Sequence, residues 1–226
     1  MVANSPYRCG WWYRKEFTAP AATSADQHFW LHFGGINYRA DVWLNGKKIA
    51  DSADVAGAYR IYDLDATGAI KPGQKNVLAV ETYAPTEFDL GINWVDWNPA
   101  PPDKDMGLWG DVDLVTTGAV ALRSPMVVTH FEDNSLDVAD LTVYAELQNA
   151  TDRVVKGEVS GSAAGAAFTQ TVTLAAHEGR TVVFTPQEFP QLRIHNPHIW
   201  WPWQMGQPNL EQLAMRFTMK GQVEDA

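Results

Sequence analysis

The first half of the chain alternates apolar and polar residues, a pattern typical of strands that bury one face. The clearest run contains Asn45-Gly46, a dipeptide that supplies the positive φ angles required by a two-residue type I′ turn. We therefore predict a β-hairpin centred on this pair. The predicted strand segments are Trp12–Ala19, Phe29–Gly35, Ala40–Ala50 (the hairpin), Ala58–Asp65, Asn76–Ala84 and Asp111–Gly118.

The second half is also rich in strand patterns, at roughly the 8–12-residue spacing expected of a small sandwich. No segment keeps a long 3.6-residue apolar period, so we expect little helix. The sequence predicts an all-β protein with a first sandwich at residues 1–120 and a second at residues 121–226. The predicted strands of the second half are Met126–Phe131, Asp140–Asn149, Val155–Ser162, Ala167–Ala175 and Arg180–Pro186.

Composition narrows the class of partner. With 46% hydrophobic and 19% charged residues the chain is globular, and its formal net charge of −10 argues against nucleic acid as a ligand. A neutral or cationic partner suits this charge better. We expect no membrane span, because no stretch is long and apolar enough. Cys9 is the single cysteine, which excludes an intrachain disulfide.

The segment at residues 93–112, NWVDWNPAPPDKDMGLWGDV, is the most informative part of the sequence, and we call it the acidic loop. Its prolines remove backbone donors and fix φ, so it must run as an irregular loop. It combines indole rings with carboxylates. An indole stacks on the C–H face of a pyranose while an acid accepts hydrogen bonds from its hydroxyls. The alternative is a loop whose tryptophans only close the end of a sandwich.

Several blocks of the sequence, in the same order, resemble the N-terminal part of glycoside hydrolase family 2. The resemblance covers nearly the whole chain. The jelly-roll domain of the family is resembled by the segments WYRKEF, HFGGINYRADVWLNGKKIA, GAYRIYDLDAT and NVLAVET, and the end of that domain by DMGLWGDVDLV. The end of the family's immunoglobulin-like domain is resembled by WWPWQMGQPNLEQL. The acidic loop is most similar to the exo-β-D-glucosaminidase branch, with the β-mannosidases next.

The resemblance implies a jelly-roll sandwich followed by an immunoglobulin-like sandwich. It also implies that the catalytic residues, two glutamates, belong to a (β/α)₈ barrel after residue 226. We therefore expect a non-catalytic part of a retaining exo-β-glycosidase that acts on β-linked glucosamine or mannose, with no catalytic residue and no cofactor here. The whole enzyme is expected in the periplasm or outside the cell, although the N-terminus has no secretory signal pattern.

By the same resemblance the acidic loop contributes to the rim of the substrate pocket, with a chitosan oligosaccharide or a mannoside as ligand. The predicted carbohydrate-binding residues are Asp96, Trp97, Asn98, Asp103 and Asp105. For each aspartate the alternative is an acid that bonds to nearby backbone amides in a turn.

Other residues carry weaker hypotheses. The Trp200-Trp201-Pro202-Trp203 run is predicted to pack against the barrel, and Trp43 and Tyr59 are predicted to be core residues. The spacing of the histidines along the predicted strands does not bring them close enough to share a metal ion. Two other functions stay open: a free-standing carbohydrate-binding module, and a structural pair of sandwiches, which predicts that the acidic loop is disordered or packed inward.

Overall fold

The structure, a computed structural model, describes residues 5–95 and 97–226. The chain divides into two compact units, with the boundary between Thr116 and Thr117. Both units are built from strands, and the described helices are two three-residue 3-10 segments. None of the helices in these residues is long and apolar enough to cross a bilayer.

The first unit contains a four-stranded sheet, β1-β7-β4-β5, a three-stranded sheet, β6-β2-β9, and a two-stranded pair, β3-β8. Its elements are a 3-10 turn at Pro6–Arg8, β1 (Trp11–Thr18), β2 (His28–Phe33), β3 (Ile36–Asn37), β4 (Arg39–Leu44), β5 (Lys47–Ala50), β6 (Tyr62–Asp65), β7 (Lys75–Tyr83), β8 (Gly107–Leu108) and β9 (Val112–Thr117).

The core of this unit lies between its two larger sheets. Alternate residues of β4 and β7 point inward and are buried, and they meet the buried residues Phe29, Leu31 and Phe33 of β2. Burial of apolar side chains in this way is the main force that holds two sheets face to face. The alternation read from the sequence therefore does produce a sandwich.

The Asn45-Gly46 hairpin is confirmed. Both residues have positive φ angles, 53° and 83°, and Leu44 pairs with Lys47 across the turn. The Asn45 side chain adds a contact that the turn does not require, because its amide donates to the side-chain oxygen of buried Asn76 at 2.7 Å. The hairpin is thereby attached to the beginning of β7.

Three expectations for this unit were wrong. The strand predicted at Ala58–Asp65 is formed only at its end, as β6, because Ala58 and Tyr59 lie in a turn. Tyr59 is consequently 70% exposed and is not a core residue. Trp43 is half-buried on the outer face of β4 and is likewise not a core residue.

The second unit is a sandwich of two four-stranded sheets, one of β10, β11, β14 and β15 and one in the order β13-β12-β16-β17. Phe168, Phe184 and Phe217 lie in the core between them. Its elements are β10 (Val120–Phe131), β11 (Val138–Asn149), β12 (Val155–Ala163), β13 (Ala166–Leu174), β14 (Gly179–Phe184), a 3-10 turn at Pro190–Leu192, β15 (Arg193–His195), β16 (Leu213–Met219) and β17 (Gln222–Asp225).

Candidate functional site

The acidic loop leaves the first sandwich after β7 and returns to it through β8, which pairs with β3. Its structural anchor is Asn37, the last residue of β3, whose side chain is fully buried. The Asn37 amide donates hydrogen bonds to the carbonyls of Lys104 at 3.0 Å and of Asp105 at 2.9 Å. The strand thus holds the backbone of the loop at the turn formed by Lys104 and Asp105.

The turn at residues 103–105 has an unusual backbone. Lys104 and Asp105 both have left-handed φ angles, 55° and 52°, which residues with a side chain adopt rarely. The carboxylate of Asp103 compensates by accepting the amide of Asp105 at 3.1 Å. Asp103 therefore acts as a turn acid, as the alternative for these aspartates predicted.

Asp105 is differently placed. Its side chain is exposed, and its Oδ2 accepts a hydrogen bond from the indole Nε1 of Trp94 at 3.1 Å. The neighbouring Lys104 does not neutralise it, because the Lys104 ammonium donates to the carbonyl of Pro85 at 2.9 Å. The arrangement presents a carboxylate beside an indole at the surface.

The remaining predicted site residues lie on the outer part of the loop. The Trp97 side chain is 85% exposed, and within the described residues its ring stacks on no other ring. Asn98 is exposed, and its backbone amide donates to the carbonyl of Val95 at 3.0 Å. Asp96, also predicted as a ligand, lies outside the described residues. The structure thus brings Asp103 and Asp105 together and leaves Trp97 free on the surface.

Two aromatic residues, Trp109 and Tyr59, are in contact at the end of the loop that follows β8. Trp109 lies over Gly35, where a Cβ would overlap the indole, and its Nε1 donates to the carbonyl of Ala58 at 2.8 Å. The ring of Tyr59 meets it edge-on, with the ring centroids 6.0 Å apart. Both rings are exposed, Trp109 by 51%. Sequence reasoning missed Tyr59 as a surface aromatic because it read a strand where the chain turns.

Two further site residues were not predicted as such, namely Trp94 and Asn37. Trp94 belongs to the acidic loop, so the high content of tryptophan and aspartate in that segment could have indicated its role. Asn37 lies in a strand far from the loop in sequence, and only the pairing of β3 with β8 reveals its role.

The loop offers hydrogen-bond acceptors and ring faces, and the charges fit a ligand with hydroxyl or ammonium donors. Metal chemistry finds no support in the described ranges, since no group of three or more His, Cys, Asp or Glu side chains there is placed to hold an ion. His32 instead pairs with Asp63, with 2.8 Å between Nδ1 and Oδ1.

The Trp200–Trp203 run lies in the second unit and is separate from the acidic loop in the chain. Trp200 and Trp203 are 54% and 79% exposed, and Trp200 forms an isolated bridge with Pro208. Their predicted packing partner stays a prediction.

Comparison with known proteins gives a consistent result. Residues 6–93 match the glycosyl hydrolase 2 galactose-binding domain-like family, and residues 120–226 match glycosyl hydrolases family 2. The chain is 40% identical to an exo-β-D-glucosaminidase of Streptomyces avermitilis, over 99% of this chain and 24% of that relative. It is 28% identical to a mannosylglycoprotein endo-β-mannosidase of Lilium longiflorum, over 93% of this chain and 24% of that relative.

A solved structure agrees with these relatives. The crystal structure of an exo-chitosanase of Amycolatopsis orientalis superposes with a TM-score of 0.85 at 35% identity, and the match covers 97% of this chain and 25% of that one. The chain therefore spans about a quarter of the length of the relatives it matches. With both sandwiches matched in order, the chain belongs to glycoside hydrolase family 2, of which it carries the galactose-binding-like and immunoglobulin-like domains.

Proposed function

We propose that this chain is the non-catalytic N-terminal part of a retaining exo-β-glycosidase that acts on β-linked glucosamine. The observation that carries the proposal is the exposed carboxylate of Asp105, held beside the Trp94 indole in the acidic loop of a family 2 domain. The relatives support the choice of sugar, since the most similar of those described above is an exo-β-D-glucosaminidase. A β-linked mannose is the second choice, in line with the lily endo-β-mannosidase.

The role of the acidic loop in this proposal is to bind the terminal sugar at the rim of the substrate pocket. Trp97 offers an open ring face for a pyranose, and Asp105 offers a carboxylate oxygen for a hydroxyl or an ammonium group. Asp96 and Asn98 flank Trp97 in sequence and are included as ligands, whereas Asp103 contributes by fixing the turn that presents Asp105.

Hydrolysis is assigned to a catalytic (β/α)₈ barrel of the same polypeptide. Retaining hydrolysis needs two carboxyl groups about 5 Å apart on a rigid support. In the acidic loop, Asp103 is engaged with the Asp105 amide and is thus unsuited as a nucleophile. The two sandwiches serve to position the barrel and to complete its pocket.

Activity measurements with p-nitrophenyl β-D-glucosaminide test this assignment. The 226-residue chain is expected to be inactive, and the longer enzyme that contains it is expected to be active. In that enzyme, Trp97→Ala and Asp105→Asn should raise KM for glucosamine oligomers, while Phe88→Ala, which removes a 91% exposed ring outside the loop, should not. Turnover by the chain alone that is lost in Asp105→Asn would contradict the proposal.

The alternative function is a free-standing carbohydrate-binding module. It is favoured by the same exposed ring and carboxylate, because both belong to this chain and need no barrel. Calorimetric titration of the chain with glucosamine oligomers distinguishes the two, since millimolar or tighter binding through Trp97 favours the module. The structural-pair hypothesis receives no support from Trp97, whose exposure does not fit an inward-packed loop.

A further inference from the structure

The outer face of the β1-β7-β4-β5 sheet carries a second combination of indoles and carboxylates, remote from the acidic loop in sequence. Strand pairing fixes which residues share this face. Trp12 of β1 pairs with Glu81 of β7, and Glu81 pairs in turn with Asp41 of β4. Since cross-strand partners project to the same side of a sheet, these three side chains form one row. The buried residues of β4 and β7 alternate with them, which places the row outside the core.

The aromatic part of this face is a pair of indoles in tilted contact. The rings of Trp12 and Trp43 lie 4.9 Å apart between centroids, with 30° between their planes. Trp43 is half-buried and has the Lys48 ammonium 5.2 Å from its ring centroid. Trp12 is 58% exposed. The contacts with Trp43 hold the outer indole on the sheet while much of its surface remains open to a ligand.

The two carboxylates of the row differ in what they bind. Asp41 is saturated, because it accepts from the Lys48 ammonium at 3.0 Å, the Ser52 amide at 2.7 Å and the Tyr83 hydroxyl at 3.3 Å. Burial by itself would raise the pKa of Asp41, but these donors outweigh it and hold that pKa below its usual value. Asp41 therefore serves to fix Lys48 and Tyr83 around the indoles.

Glu81 has fewer donors than Asp41. The Tyr83 hydroxyl that bonds to Asp41 is also within hydrogen-bonding reach of Glu81, and the remaining acceptor capacity of Glu81 is open to a ligand. Among the residues that the structure describes, no lysine, arginine or histidine forms an ion pair with it. Its side chain lies along the backbone at Gly10, where any Cβ would overlap it, so a glycine at this position leaves room for the acid. As the cross-strand partner of Trp12, Glu81 lies at the edge of whatever stacks on the indole.

We propose that this face is a carbohydrate-binding site, separate from the acidic loop, that takes one pyranose of a β-linked glucosamine oligomer. The sugar stacks its C–H face on Trp12 and directs its ammonium group to Glu81. An amino sugar presents both an apolar ring face and a cation at its edge, which is the pair of features that this row complements. The formal net charge of −10 also favours a cationic chain.

The site is tested by titrating the 226-residue chain with glucosamine oligomers and following the Trp12 and Glu81 signals by NMR. Trp12→Ala is expected to weaken binding at this face by about tenfold, the loss of roughly one aromatic contact. Glu81→Gln keeps the shape of the side chain and is expected to weaken glucosamine binding by a similar factor. Phe88→Ala is the matched control, and Trp97→Ala separates this site from the acidic loop.

The outcomes are distinct. Equal affinity for N-acetylated oligomers of the same length would remove the role of Glu81 and overturn the proposal. Unchanged binding in both Trp12→Ala and Glu81→Gln would overturn it as well. If instead the chain self-associates with increasing concentration and Trp12→Ala abolishes this, the face is a protein interface and the sugar site is rejected. Loss of binding in Trp97→Ala alone would support the acidic loop and reject this second site.

Discussion

Replacing Asn37 tests whether β3 holds the acidic loop in place. The side chain donates two hydrogen bonds to loop carbonyls, while its Oδ1 is buried and has no partner among the described residues. Each bond contributes about 1 kcal/mol, and a buried unpaired acceptor costs about 1 kcal/mol at the low end. Asn37→Ala removes both bonds and also the unpaired oxygen. The net destabilisation of the closed loop is therefore about 1 kcal/mol, or roughly fivefold in its opening equilibrium.

Asn37→Asp is expected to be the more damaging variant, although it is nearly isosteric. It loses both donors, keeps the buried Oδ1 and adds a second acceptor that faces two carbonyls. We expect about 3 kcal/mol, or more than about a hundredfold in the opening equilibrium.

Limited trypsin digestion measures this opening, because Lys104 lies in the turn that Asn37 holds. When closing is fast relative to cleavage, the cleavage rate follows the open population. Asn76→Ala is the matched control, since Asn76 is equally buried and donates to the carbonyls of Lys71 and Gln74 instead. The reasoning is refuted if Asn37→Ala cleaves as fast as Asn37→Asp, or if neither variant is cleaved faster than the Asn76→Ala chain.

Three further predictions concern stability. Gly107→Ala should destabilise the first unit by about 2 kcal/mol or more in urea unfolding, because the φ angle of Gly107 is 137° and a Cβ there would overlap the Tyr13 hydroxyl. The control Gly46→Ala has open space around its Cβ and should destabilise the unit by about 1 kcal/mol. Phe184→Ala should destabilise the second unit by about 3–5 kcal/mol, since the ring is fully buried and packs 4.4 Å from Phe168, and calorimetry should show the first unit unchanged. Burial by itself would raise the pKa of Asp89, but hydrogen bonds from Thr86 and Arg39 hold that pKa below the ordinary 3.8. The Asp89 carboxylate therefore stabilises the fold at neutral pH, and this stabilisation is lost as the pH falls through the folded-state pKa. Asp89→Asn should accordingly be less stable than the parent at pH 7, with the difference shrinking at pH 3; a constant difference would show that the charge plays no part.

The β-sandwich character of both units could be predicted from the sequence because it depends on local alternation. Residues such as Val42 and Leu44 point to one side of a strand by geometry alone, and the core follows wherever that side is apolar. The Asn45-Gly46 turn was predictable for the same reason, since its backbone angles are a local preference.

The acidic loop was predictable only as a composition of indoles and acids. Its prolines excluded regular structure, and the resemblance to a family indicated its chemistry. The sequence does not indicate that Asp103 bonds to a backbone amide within the turn whereas Asp105 accepts a bond from the Trp94 indole, because both are aspartates of the same loop and differ only in their hydrogen bonds.

Contacts between distant segments were decided by the tertiary structure alone. Asn37 reaches Lys104 across a separation of 67 residues, and Trp12 meets Trp43 only because both strands lie in one sheet. Alternation determines which face a residue occupies, but the partner across the sheet depends on strand order and register, which local preferences do not encode. The sequence by itself therefore determined the strands and the chemistry available, and the pairing of the strands decided which of those groups meet.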